Sequence, residues 1–188
     1  MIVQKVTQLN KTTRSAFVKK KCIELIPIMY ENVKHIFARD RQLLESALTD
    51  IINYIKLPNN QDRGQGFLSI GRMAGIVDRE IFIRYVDAVL RLIYSELEPP
   101  QAGRNGHIVP VANLDSLTCL KQLLRSYVNY FLDRNKIDML KLINDIFYSG
   151  YNRQVIECLA EISQICGGRF KRAAQVKLLN TCYIILQR

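Results

Sequence analysis

Residues 40–57 read DRQLLESALTDIINYIKL, and their spacing decides the fold. Leu44, Ala47, Leu48, Ile51 and Ile55 recur three and four apart, which on an α-helix forms one continuous apolar face. Arg41, Glu45, Asn53 and Lys56 fall off that face. Asp40 can cap the first turn, because its carboxylate accepts a hydrogen bond from an N–H that has no partner inside the helix. Leu57-Pro58-Asn59-Asn60 ends the run.

The same period extends in both directions. Downstream, a helix is expected from Asp62 to about Val77. Another is expected over Glu80–Leu97, with Phe82, Val86, Val89, Ile93 and Leu97 on one stripe and Arg84, Asp87, Arg91, Ser95 and Glu98 on the other. Residues 98–110, EPPQAGRNGHIVP, hold three of the five prolines and two glycines, so a loop insertion is expected over 98–112. Leu114, Leu117, Leu120, Leu124, Val128 and Phe131 restart the helical period. Ile137 to Tyr148 continues it, and Ser149-Gly150-Tyr151-Asn152 turns the chain. Val155, Ile156, Leu159, Ile162 and Ile165 carry the next helix, which Gly167-Gly168 stops, and a last helix runs from Arg169. Upstream, a helix from about Arg14 to Asn32 puts Val18, Cys22, Leu25 and Met29 on one face, with a kink expected at Pro27.

Alternating strand runs are missing, so the fold class read from the sequence is all-α. Helix pairs recur roughly every 40 residues, the period of HEAT and armadillo arrays. One helix pair cannot bury its apolar face alone, so successive pairs stack and share a core. The expected architecture is an α-solenoid, a HEAT/armadillo-like superhelix of about four helix pairs, with residues 1–188 forming a single HEAT-repeat segment. A compact helical bundle fits the same periodicity.

Composition narrows the classes. With 48% hydrophobic and 23% charged residues among 188, the chain is not of the disordered type. Its five cysteines are odd in number, and no two have C-x-x-C spacing. Neither a zinc knuckle nor a redox pair is therefore written here, and half-buried free thiols are expected. The first fifteen residues, MIVQKVTQLNKTTRS, lack the apolar core of a secretory signal. No window of about 18 apolar residues exists to span a membrane. The expected location is cytoplasmic, and the Asn10-Lys11-Thr12 sequon is then a chance spelling.

The sharpest local piece is DRGQGFLSIGRMA over Asp62–Ala74, a turn carrying Asp-Arg followed by a helix with small residues. Arg84-Tyr85-Val86-Asp87-Ala88-Val89-Leu90-Arg91-Leu92-Ile93, a Pro-Pro loop, Asp115-Ser116-Leu117-Thr118-Cys119-Leu120, Met139–Phe147 and Leu159-Ala160-Glu161-Ile162-Ser163 follow it. In this order, over roughly residues 15–187, the chain resembles the N-terminal HEAT array of the target-of-rapamycin (TOR) serine/threonine protein kinases. The resemblance implies a scaffold segment of a longer protein in growth and nutrient signalling. It implies docking of a Raptor-like regulatory subunit and adjoining HEAT repeats at the C-terminal end. It also implies recruitment to endomembranes as part of a larger complex.

The kinase itself is not expected in this segment: a G-x-G-x-x-G-x-V loop, an H-R-D loop and a D-F-G are all missing. Gly66 and Gly71 have the spacing of a phosphate loop, but Arg72-Met73 stands where Lys-Ser/Thr is needed to reach the phosphates and Mg²⁺. Gly64, Gly66, Gly71 and Gly75 are better read as positions where two helices approach closely. His35 and His107 have no partners at metal-ligand spacing, so no cofactor is expected. Neither is a Ser/His/Asp or Cys/His set, which argues against a small helical enzyme.

The net charge of +10 leaves a nucleic-acid-binding solenoid as the alternative, although such a role needs a continuous basic face. The run Lys19-Lys20-Lys21 points three ways around a helix. An acidic protein partner fits better. The candidate partner-binding residues are Arg63, Arg72, Gln122, Arg125 and Arg153, with the Pro/Gly loop as a second candidate. The last helix, ending Cys182-Tyr183-Ile184-Ile185-Leu186, is apolar nearly all round. A further repeat is expected to stack there, and the isolated chain is expected to self-associate through it.

Overall fold

The structure, a computed structural model, describes residues 2–57, 60–97, 114–133, 141, 146, 153–168 and 175. The described residues are all-helical and contain no strand. None of their helices is long and apolar enough to cross a membrane. The chain divides into two units, Met1–Leu92 and Ile93–Arg188.

In the first unit, α1 (Ile2–Thr12) precedes α2 (Ala16–Asn32), and a short α3 (Lys34–Arg39) leads into α4 (Arg41–Lys56) and α5 (Arg63–Ile76). Two caps fix where helices start. The Ser15 hydroxyl accepts from the Val18 N–H at the head of α2, and Asp40 Oδ1 accepts from the Leu43 N–H at 3.0 Å at the head of α4, as its position suggests. The α4 face read from the sequence is the core face: Leu44, Ala47, Leu48, Ile51 and Ile55 are all buried. Helix α1 has no counterpart in the sequence reading.

The packing in this unit is layered. α1 lies on α2, and α4 lies on α5. α1 also touches α4, and α2 packs on α5 as extensively as α4 does. Helix α6 (Arg79–Leu97) begins in this unit, where Arg84 Nη1 reaches Glu45 Oε1 of α4 at 3.5 Å. Its expected stripe of Phe82, Val86, Val89, Ile93 and Leu97 is buried.

Helix α2 departs from the expected orientation. Cys22 is buried, but Leu25 is exposed and Val18 and Met29 are half-buried. The core face is instead Cys22, Ile23, Ile26, Pro27 and Tyr30. Apolar residues line α2 on two sides, so their spacing alone could not choose between them. Pro27 lies on the buried side, and α2 remains one helix across it. A proline has no N–H, so the Ile23 carbonyl one turn earlier loses its helical donor. The buried Ser69 hydroxyl of α5 donates to that carbonyl at 3.1 Å and accepts from Gln65 Nε2 at 3.3 Å.

Of the four α5 glycines read as close-packing positions, Gly66 meets that reading. A Cβ there would lie 2.5 Å from Ile55 Cγ1 of α4. Gly64 and Gly71 are buried. Gly75 corrects the expectation, since it is exposed and a Cβ there meets nothing within 4 Å.

In the second unit, α7 (Leu114–Asp133) packs along α8 (Arg153–Cys166). Helix α7 leaves helical geometry at Tyr127 (φ −129°, ψ 22°). Leu117, Leu120 and Leu124 before that point are buried as expected, while Val128 just after it is half-buried. In α8 the buried side is Val155, Cys158 and Ile162, and Ile156 is 59% exposed rather than part of the core. Gly167, with φ +55°, ends α8 by donating its N–H to the Ser163 carbonyl at 3.0 Å. Lys141, Ile146 and Gln175 are helical. The rest of the expected helices over 137–148 and 169–188, the 98–112 loop, His107 and the Tyr183–Ile185 end lie outside the described residues.

Candidate partner-binding surface

Helix α5 buries Phe67, Ile70, Met73 and Ala74 and leaves Arg63 and Arg72 at its surface. These two stand nine residues apart, so at about 100° per residue they project from opposite sides of the helix. Arg72 forms a two-point contact with Glu31 at the end of α2: Nε donates to Oε1 at 2.9 Å and Nη2 to Oε2. The paired carboxylate raises the Arg72 pKa further. With both side chains well exposed, solvent screens the pair and it fixes geometry more than it adds stability.

The turn before α5 is built on Asn60. Its Nδ2 donates to the Tyr54 carbonyl at 2.7 Å, and its Oδ1 accepts from the Asp62 N–H at 3.0 Å. Asp62 makes no side-chain cap to α5. Its carboxylate goes instead to Lys20 Nζ of α2 at 2.6 Å, a hydrogen bond that raises the Lys20 pKa.

In the second unit, Glu161 of α8 gathers two cations of α7: Arg125 Nη2 at 2.7 Å and Lys121 Nζ at 3.3 Å. Gln122, on the same side of α7 as Arg125, is half-buried, and its Oε1 is buried with no hydrogen-bond donor among the described residues. Arg153 pairs within α8 with Glu157 at 2.7 Å and is 90% exposed, a solvated side chain. Of the five residues nominated from the sequence, Gln122 and Arg125 therefore share one surface, Arg63 and Arg72 share a helix but not a side, and Arg153 stands by itself.

The sequence reading missed an open pocket in the first unit. It has a volume of about 160 Å³ and is lined by Asn10 and Lys11 of α1, Lys19 of α2, Asp50, Asn53 and Tyr54 of α4, and Leu57 just after it. Asp50 Oδ2 and Asn10 Oδ1 are buried there without donors among the described residues. Burial raises the Asp50 pKa, opposed by the charge of Lys11 and a hydrogen bond from Asn10. Lys11 Nζ itself donates to Ser46 Oγ at 2.8 Å. The signal for this pocket was the helical spelling of α1, without which Asp50 reads as a solvated residue.

Thiol chemistry is suppressed where it is visible. Cys22, Cys119 and Cys158 are buried and free. Desolvation raises all three, Cys158 to about 12, so at neutral pH they are thiols rather than nucleophilic thiolates. Among the described residues no three His, Cys, Asp or Glu side chains converge as metal ligands would. Set beside known protein families, curated proteins and solved structures, the chain matches none of them.

Proposed function

We propose that this chain is a non-catalytic scaffold: a stretch of HEAT-like α-solenoid that presents helix surfaces to protein partners. On this reading it is a segment like the N-terminal array of a TOR kinase, and it works in the cytoplasm as part of a larger complex recruited to endomembranes. One observation carries the solenoid reading. In the first unit α1, α2, α4 and α5 each pack both on the other helix of their pair and on the corresponding helix of the neighbouring pair, α1 on α4 and α2 on α5. The α7–α8 contact has the same kind of spacing in the second unit. Stacking of like on like is what a repeat array does to bury a face that one pair leaves open.

The charge arrangement favours protein over nucleic acid. Arg72, Lys20, Arg41, Lys121 and Arg125 each face a carboxylate, which interrupts the continuous basic track that phosphate binding requires. The Gln122–Arg125 surface and the α5 arginines are the docking positions of this reading, for a Raptor-like regulatory subunit. The test is affinity purification of the tagged chain from its own cells. Recovery of a Raptor-like subunit, lost on Arg125→Glu with Gln122→Ala, supports the proposal. Tight oligonucleotide binding that falls steeply with salt, or turnover of a small substrate, overturns it.

A further inference from the structure

Helix α2 turns an apolar side outward. Phe17 is 69% exposed, and Leu25 and Ile28 are each 42% exposed, while the buried side is the separate set centred on Ile23 and Ile26. At about 100° per residue, Phe17, Lys21, Glu24, Leu25, Ile28 and Glu31 fall within an arc of about 120°. Arg14, exposed just ahead of the Ser15 cap, continues the same line. The stripe therefore carries Phe17, Leu25 and Ile28 with the charged Lys21 and Glu24 between Phe17 and the other two. Lys21 lies 6.0 Å from the Phe17 ring centroid and 2.6 Å from Glu24 Oε2.

The order of charges along this stripe selects its occupant. A two-fold axis crossing α2 between Cys22 and Ile23 runs a second α2 antiparallel to the first. It sets Phe17 opposite Ile28 of the second copy, Lys21 opposite Glu24, and Arg14 opposite Glu31, each pair occurring twice. An acidic helix laid on the same stripe would meet Glu24 and Glu31, and a basic one would meet Arg14 and Lys21. The reversed stripe puts Lys21 against Glu24 twice beside the axis and Arg14 next to a Glu31 that Arg72 also holds, which is the self-complementarity of an isologous contact.

We infer that α2 is a self-association surface, through which two copies of this chain pair with their α2 helices antiparallel. This does not rest on the scaffold reading. A 17-residue helix is about 26 Å long, so helix-on-helix contact alone falls below the roughly 1,000 Å² of a stable interface. The pairing is accordingly weak and concentration-dependent, and it weakens in high salt through its charge pairs.

The test is sedimentation equilibrium on the full chain. Wild type should move from monomer to dimer with concentration. Phe17→Glu and Ile28→Glu, both at exposed positions, should each weaken association at least tenfold while leaving the circular dichroism spectrum and thermal midpoint in place. Lys21→Glu should weaken it too, and adding Glu24→Lys to that variant should restore it. A chain that stays monomeric at every concentration overturns the inference. So does association that is indifferent to Phe17→Glu but removed by Tyr183→Glu or Ile185→Glu, and so does a charge reversal that fails to rescue.

Discussion

Replacing Ser69 by Ala tests whether the roll of α2 is fixed by the proline within it. The Ile23 carbonyl belongs to a fully buried residue and lacks a helical donor because residue 27 is proline; the Ser69 hydroxyl is the donor that reaches it, at 3.1 Å. Ser69→Ala removes that bond and strands a buried carbonyl, at a cost of about 1–3 kcal/mol. Pro27→Ala changes the situation. An alanine at this position supplies an N–H to the Ile23 carbonyl, so in that background Ser69→Ala loses only a hydroxyl whose acceptor is already served, about 1 kcal/mol or less. The two substitutions should therefore couple, with an interaction energy of about 1–2 kcal/mol within the range seen for groups sharing one hydrogen-bond network. The assay is urea unfolding of the wild type, both single variants and the double variant, with far-ultraviolet circular dichroism and the m-value held as a check on two-state behaviour. The cycle cancels the helix-propensity gain of removing proline, since that gain appears in both backgrounds. Additivity within about 0.5 kcal/mol would refute the reasoning and mean that the Ser69–Ile23 contact is incidental.

Three further outcomes follow from the same packing. Gly66→Ala drives a methyl to 2.5 Å from Ile55 Cγ1 and should destabilise by about 1–3 kcal/mol as overpacking does. Gly75→Ala, in open space on the same helix, should stabilise by about 0.5–1 kcal/mol; equal signs in denaturant midpoints would contradict the α4–α5 contact. Asp50 has a folded pKa above its ordinary 3.8 because burial disfavours the charge. The folded state therefore holds the proton more tightly than the unfolded one, and stability falls as pH rises from 3.8 through the folded value. Asp50→Asn should be more stable than wild type at neutral pH, with the difference closing in acid, as followed by thermal midpoint against pH. Cys119 and Cys158, held as buried thiols, should resist alkylation at neutral pH until the chain unfolds; mass-spectrometric detection of either adduct in the native protein would contradict that burial.

The parts of this fold legible in the sequence are those where one apolar face competes with one polar face. In α4 and α6 every residue of the expected stripe is buried, because the alternative side carries arginines and carboxylates that cannot be buried without partners. Where two sides are apolar, spacing is silent. Leu25 and Ile156 have the period of core residues and lie outside, while Ile23 and Cys158 take the inside. In α7 the backbone leaves helical geometry at Tyr127, and Val128 just after it is half-buried rather than in the core; a fixed period cannot anticipate such a break. Helix α1 escapes a reading that tests its sequence only as a leader and not as a helix. With α1 unread, Asp50 and the pocket at its side go unread as well. The candidate surface was legible as exposed arginines, but their pairing with Glu31 and Glu161 depends on which helices stack.

The proline, the serine and the outward apolar stripe belong to one chain of cause. Helix α2 carries Cys22, Ile23, Ile26, Pro27 and Tyr30 on its inner side, and Phe17, Leu25 and Ile28 on an outer side that also holds Lys21, Glu24 and Glu31. Turning the outer side inward would bury those charges, and Pro27 weighs the same way, since it leaves the Ile23 carbonyl in need of a donor and a buried unserved carbonyl costs about 1–3 kcal/mol. Ser69, in the middle of α5, supplies the donor only when Ile23 faces it. Once that side is chosen, Phe17, Leu25 and Ile28 must point outward. The exposure of that stripe thus answers to polar requirements on both sides of the helix: a carbonyl to be served inside, which Ser69 does, and charges to be kept in water outside.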